Sequence, residues 1–149
     1  MKDTELVGRG IMCGICGYIS KREIDLQQLI AMNDTMYHRG PDDCGAEIFE
    51  GNSGYSLGLA QRRLSILDLS ELGHQPMYSS DKRVSLVFNG EIYNYMELRS
   101  ELNEYDFISS CDTEVIIAAY LKWGISCINR LNGMFAIALY DKKSDTLFL

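Results

Sequence analysis

From Ala46 onward the chain alternates short β-like runs with clusters of Gly, Asn, Ser and Asp, and this pattern limits the accessible folds more than any other feature. The runs are Ala46–Phe49, Tyr55–Ala60, Leu64–Leu67 and Val84–Phe88. An earlier run, Met12–Ile19, reads as a further strand after a polar, Gly-spaced stretch from Met1 to Ile11. Strands this short must pair in sheets and cover at least one face. The covering elements lie on the flanks. Leu26, Leu29, Ile30, Met36 and Tyr37 recur at helical spacing, and Asp25 with Gln28 starts a helix expected over Asp25–Met36 as a capping box. Tyr37–Gly45, punctuated by Gly40 and Pro41, is expected to be an ordered loop. A second helix is expected near Tyr95–Leu102, capped by Asn94 with Glu97. A third carries Val115, Ile116, Ala119, Tyr120 and Trp123 on one face and ends at Gly124. Met134–Tyr140 and Thr146–Leu149 read as a hairpin around Asp141-Lys142-Lys143-Ser144-Asp145. The sum is a layered α+β domain. Because the last run stops without a cap or polar exit, the expectation is a fragment cut before its domain is complete.

Net charge is −7, from 14 Lys and Arg against 21 Asp and Glu. That leaves no broad positive field for a phosphate backbone and argues against nucleic acid as a partner. The longest strongly apolar stretch, Met134–Tyr140, falls far short of the roughly 20 residues that cross a bilayer. The first residues lack the apolar centre of a secretion signal, and an odd count of 5 Cys cannot pair completely. Both point to a reducing, cytoplasmic setting in which a thiol is either core filler or chemically employed.

Three chemistries compete for these thiols. Cys13 and Cys16 form a C-x-x-C, but the following Gly17-Tyr18-Ile19 continues as strand where a redox pair would open a helix. A structural zinc needs a second close pair, whereas Cys44, Cys111 and Cys127 are scattered. A Cys–His pair has only His38 and His74 to draw on, each within a turn-like segment, and Gly14-Ile15-Cys16-Gly17 lacks the spacer of a nucleophile elbow. The third chemistry uses the Met12-Cys13-Gly14 junction. Were Cys13 the N-terminal residue, its α-amine, titrating near 8, would lie close enough to a thiol near 8.5 to take its proton. The nucleophile then carries its own base.

Six segments in order carry a family resemblance. They are Met12-Cys13-Gly14-Ile15-Cys16-Gly17, His38-Arg39-Gly40-Pro41-Asp42-Asp43, Arg62-Arg63-Leu64-Ser65-Ile66, Asn89-Gly90-Glu91-Ile92-Tyr93-Asn94, Asp112-Thr113-Glu114-Val115 and Asn132-Gly133-Met134-Phe135-Ala136. Together they resemble the class II glutamine amidotransferase domain of glutamine-hydrolysing asparagine synthetases. The resemblance implies an N-terminal-nucleophile hydrolase fold, a four-layer αββα sandwich, here incomplete at its C-terminus. It places Cys13 as the nucleophile that forms a glutamyl thioester, with Asn89 and Gly90 as the oxyanion hole. It assigns glutamine binding to Arg63, Leu64, Ile66, Glu91 and Asp112, with Arg63 on the α-carboxylate and Asp112 on the α-ammonium. Alone, Asn89-Gly90 reads as a hairpin turn, Arg63 as a surface charge beside Arg62, and Asp112 as a helix N-cap. Arg39, Asp42 and Asp43 are expected to shape their loop. The ammonia would pass to an ATP-dependent synthetase domain that makes asparagine from aspartate, normally in the same chain. ATP and Mg belong to that absent domain, and no cofactor or metal is expected in this chain. A homodimer stays open.

The resemblance spans Cys13 to Leu149, leaving residues 1–12 as a mis-assigned start, a propeptide or an added segment before a domain expected to run from 13 to 149. An internal Cys13 would have no basic amine. A catalytically silent module of the same fold, with an uncut leader and a structural role, is the competing expectation.

Overall fold

A computed structural model describes residues 13–52, 54–64 and 71–149; the side chain of Glu71 is excluded. The expected leader, the start of the first strand at Met12, most of the Leu64–Leu67 run and the expected ligand residue Ile66 lie outside the described residues. Seven strands and three α-helices are defined among the rest: β1 (Gly14–Ser20), α1 (Leu26–Asp34), β2 (Asp43–Glu50), β3 (Ser56–Arg63), β4 (Met77–Tyr78), β5 (Val84–Ile92), α2 (Tyr95–Glu101), α3 (Asp112–Trp123), β6 (Gly133–Asp141) and β7 (Thr146–Phe148).

The strands form two antiparallel sheets, β1-β3-β2 and β4-β5-β6-β7. Alternation along each strand sorts the faces. Leu57 and Leu59 of β3 meet Val87 of β5 and Ala138 and Tyr140 of β6 between the sheets. On the other side of β3, Gly58 lies beneath Leu29 of α1. On the other side of the second sheet, Leu86, Phe88, Ile137 and Leu139 pack with Val115, Ile116 and Ala119 of α3 and Leu98 of α2. The order of layers is therefore helix, sheet, sheet, helix, as expected. Val115 and Ile116 are completely buried, and burial of this kind contributes about 1.5–3 kcal/mol per side chain. Cys16 lies within β1 and lines an inter-sheet cavity with Ile15, Leu59 and Val87.

Several local expectations need correction. The segment Tyr37–Gly45 is not all loop: Tyr37–Arg39 makes a 3-10 turn and β2 already starts at Asp43, because that backbone pairs with β3 from Asp43↔Arg63 onward. Leu64 lies past the end of β3 rather than opening a strand. Asn89-Gly90 is not a turn. Both residues sit inside β5, opposite Ala136 and Phe135 of β6. Asn94 makes no side-chain cap on α2; its amide instead donates to the Arg130 carbonyl at 2.9 Å and accepts from the Asn132 N–H at 2.9 Å, tying the start of α2 to the approach of β6. Asp25 does cap α1, its carboxylate accepting from the Gln27 N–H at 2.8 Å. Gly124 ends α3 at φ +60°, and a 3-10 segment, Gly124–Arg130, follows that the sequence pattern did not announce.

Candidate active site

Cys13 immediately precedes β1, whose first residue is opposite Arg62 of β3. That pairing brings the thiol to the end of β3. The Leu64 N–H donates to Cys13 Sγ at 3.3 Å, and Sγ stands 3.6 Å from the Leu64 carbonyl oxygen. Arg39 Nε donates to the Cys13 carbonyl at 3.0 Å. Its contact thus extends beyond the loop it was expected to shape and fixes the main chain of the thiol-bearing residue. Asp42 donates its N–H to the Arg63 carbonyl at 3.1 Å. Asp43 accepts from the Cys44 N–H and pairs with His74 Nδ1 at 2.9 Å.

The thiol opens into a cleft lined by Cys13, Arg63, Leu64, Gly90, Glu91 and Asp112 together with residues described below. These come from the ends of β1 and β3, from β5 and from the first turn of α3. Arg63, although beside Arg62, is no surface charge: it is buried, and its guanidinium rests against the backbone of Gly73, where a Cβ would stand 2.1 Å from a guanidinium nitrogen. Asp112 is the first residue of α3, with Cys111 at the N-cap position. Its Oδ2 accepts the Ile92 N–H at 3.0 Å. Burial lifts the Asp112 carboxyl above the ordinary aspartate value, and the Ile92 N–H opposes that lift. Asn89 is half-buried on β5 and is not among the residues lining the cleft; its Oδ1 is buried without a hydrogen-bond partner.

The direction of the backbone along β5 decides what this wall presents. In an antiparallel strand, the N–H and C=O of one residue point to the same edge, and successive residues alternate. The Asn132 carbonyl, at the approach to β6, accepts the Tyr93 N–H, and the Arg83 carbonyl accepts from Lys142, so odd-numbered residues face β6. Even-numbered residues face the other edge. There the Val84 carbonyl accepts from Ser79, the Phe88 N–H reaches Gln75, and the Ile92 N–H reaches Asp112. Gly90 belongs to this second set, so its N–H faces the cleft edge between the two side-chain-held N–H groups. Its φ is +150°, and a Cβ there would meet the Met134 carbonyl oxygen at 2.2 Å, so the position demands glycine.

Several lining residues had no assigned part in the sequence reading: Gln61, Gly73, Gln75, Phe88, Cys111 and Thr113. Gln61 could have been suspected, since it interrupts the run Leu57-Gly58-Leu59-Ala60 with a neutral polar side chain, and a buried polar group requires partners. Among the described residues, no grouping of three or more His, Cys, Asp or Glu side chains is placed to hold a metal ion. All five cysteines are free thiols, and burial pushes those of Cys16, Cys111 and Cys127 upward, Cys127 to about 11. No helix among the described residues is long and apolar enough to cross a membrane.

The chain is similar to known proteins. The family described as "Glutamine amidotransferase domain" matches residues 12–149, and the chain belongs to it. Its curated relatives narrow the class. It is 42% identical over 152 residues to the putative asparagine synthetase (glutamine-hydrolyzing) 2 of Methanocaldococcus jannaschii, covering 92% of this chain and 29% of that protein. It is 40% identical over 143 residues to asparagine synthetase (glutamine-hydrolyzing) 2 of Bacillus subtilis, covering 93% of this chain and 18% of that one. With the Zea mays asparagine synthetase (glutamine-hydrolyzing), identity is 36% over 135 residues, covering 89% and 22%. The chain thus spans less than a third of the length of these relatives. Among solved structures, glutamine phosphoribosylpyrophosphate amidotransferase from B. subtilis, complexed with ADP and GMP, aligns at a TM-score of 0.47 and 20% identity over 57% of this chain and 21% of that one.

Proposed function

We propose that this chain hydrolyses the side-chain amide of glutamine at Cys13, giving glutamate and ammonia, and that the ammonia feeds an ATP-dependent synthetase portion making asparagine from aspartate. The observation that supports this best is convergence: Cys13, Arg63, Gly90, Glu91 and Asp112, far apart in sequence, line a single cleft around the thiol.

The chemistry follows from the groups present. With Cys13 N-terminal, its α-amine takes the thiol proton, and the thiolate attacks the amide carbon. The carbonyl oxygen becomes an oxyanion, which the Gly90 N–H meets from the open edge of β5, with Asn89 carried as the second donor on the family likeness alone. Such a donor is worth about 3–4 kcal/mol of transition-state stabilisation. The α-ammonium then gives its proton to the departing nitrogen, ammonia leaves, and a thioester remains. Water, deprotonated by the same amine, hydrolyses the thioester to glutamate and restores the thiol. Arg63 can take the α-carboxylate through two parallel bonds, while Asp112 and Glu91 face the α-ammonium. Leu64 supplies the wall against the thiol, and Ile66 is carried as a binding residue on the family likeness alone. ATP and Mg serve the synthetase portion, and no step here passes through them. The cytoplasm is the proposed compartment.

The test compares glutamine hydrolysis by the wild-type protein and by Cys13→Ala, with mass spectrometry of the N-terminus. The expected result is complete loss in the variant and Cys13 as the first residue of active protein. Turnover by protein that retains residues 2–12 would refute the mechanism.

A further inference from the structure

The second glutamine of the cleft wall, Gln75, has no part in the chemistry above, yet it is almost fully buried and both ends of its amide are engaged. Its Oε1 accepts the Phe88 N–H at 2.6 Å, and its Nε2 donates to Thr113 Oγ1 at 3.3 Å. The sheet register explains why it is there. β4 and β5 pair as Met77↔Leu86 and Tyr78↔Ser85. Continued by two residues, the same register would set Gln75 opposite Phe88. The ladder stops short of that pair, since β4 extends no further than Met77 on that side. Among the described residues, the edge of β5 is therefore left without a neighbouring strand just before Gly90. Gln75 fills the gap with its side chain, presenting an amide carbonyl where a strand would present a backbone one. Gln61 supplies the complementary donor from β3, its Nε2 donating to the Phe88 carbonyl at 3.2 Å. Both main-chain polar groups of Phe88, which face this edge, are held by buried side-chain amides.

We infer that Gln75 is a positioning residue for amide hydrolysis: by holding the Phe88 N–H in place of a strand, it sets the Gly90 N–H at the open edge of β5 beside Cys13. The inference rests on the oxyanion role given to Gly90 above. Gln75 touches no substrate in this scheme. It acts through the backbone, with Asp112 holding the Ile92 N–H on the far side of Gly90, so that the donor is bracketed at both neighbours on its edge. The main chain of Gln75 is itself braced by β2, since a Cβ on Gly45 would stand 1.9 Å from the Gln75 carbonyl oxygen.

The experiment measures glutamine hydrolysis by the full-length protein carrying Gln75→Leu, which keeps the bulk and removes the acceptor, and Gln75→Glu, which keeps an acceptor oxygen. Alkylation of Cys13 by iodoacetamide, which develops no oxyanion, is followed in parallel. The expected result for Gln75→Leu is a kcat lower by about 10- to 100-fold, the scale of a misplacement of about 1 Å, with KM for glutamine and the alkylation rate within about threefold of wild type. Gln75→Glu should recover most of kcat. Should Gln75→Leu fail to fold, the shorter Gln75→Asn, unable to span to the Phe88 N–H, takes its place with the same expectation. A wild-type kcat in Leu or Asn, or a loss shared equally by kcat, KM and alkylation, would overturn the positioning role. Failure of the underlying reading is distinguishable, because then Cys13→Ala would also retain activity.

Discussion

Gly73→Ala isolates the contact between the cleft wall and Arg63. A Cβ at residue 73 would stand 2.1 Å from one guanidinium nitrogen of Arg63, 2.4 Å from its central carbon and 2.9 Å from the other nitrogen. Ordinary contact begins near 3.4 Å, so the guanidinium must retreat by more than about 1 Å. It can do so cheaply, because the obstructed group is the far end of a flexible side chain, and the melting temperature should stay within a few degrees of wild type. The ligand cannot adapt in the same way. A planar fork displaced by that distance loses at least one of two charge-assisted hydrogen bonds, each worth about 1.5–3 kcal/mol. The expected outcome is a KM for glutamine raised by about 10- to 150-fold with kcat little changed. Steady-state assays with glutamine and with its α-carboxamide distinguish the cause, since the α-carboxamide has no carboxylate to lose and should show almost no difference between wild type and variant. An unchanged KM for glutamine, or an equal penalty on both substrates, would refute the assignment of Arg63 to the α-carboxylate.

Two further outcomes follow from the buried carboxylates. Asp112→Asn keeps an acceptor for the Ile92 N–H but loses the charge, so KM for glutamine should rise by about tenfold or more. Thermal stability at neutral pH should hold or improve: the raised folded pKa means that this carboxyl's stabilising contribution is full below its unfolded value and lost as pH rises through the folded one. Asp141 has the opposite sign. It accepts from Arg83 Nε at 3.0 Å, from a second Arg83 nitrogen at 2.6 Å and from the Tyr120 hydroxyl at 3.0 Å, and the Arg83 hydrogen bonds hold its carboxyl down at about 2. Its contribution is present above the unfolded aspartate value and disappears as pH falls through about 2. Asp141→Ala should cost about 2–4 kcal/mol in denaturant melts at pH 7, with the gap from wild type closing in acid.

What could be read from the sequence was local. The α3 stripe and the Gly124 stop, the Asp25 cap and the hairpin around Asp141–Asp145 each depend on neighbours a few residues apart, and they stand where the pattern placed them. The division into two sheets was expected from the family likeness and not from the runs themselves, because β1 pairs with β3 rather than with β2, the next strand in sequence, and nothing in either run encodes that choice. Asn89-Gly90 has turn composition but is held straight by β6, a segment more than 40 residues later, so tertiary pairing overrides local preference. The site divides in the same way. Cys13, Arg63, Gly90, Glu91 and Asp112, which line the cleft, stand in motifs visible in the sequence, whereas Gln61 and Gln75 bond to Phe88 across 27 and 13 residues and are linked to it only by the fold.

The alternation along β5 has one more consequence. The proposed oxyanion donor is a main-chain group, so its direction follows from its place in the alternation of β5, and an insertion changes that place. One residue added between Arg83 and Phe88 that shifted the strand by a single step would turn the Gly90 N–H toward β6 and bring a bulkier neighbour to the thiol. The protein would retain every side chain in its motif and lose the reaction, so that a frame error of one position would separate family membership from turnover.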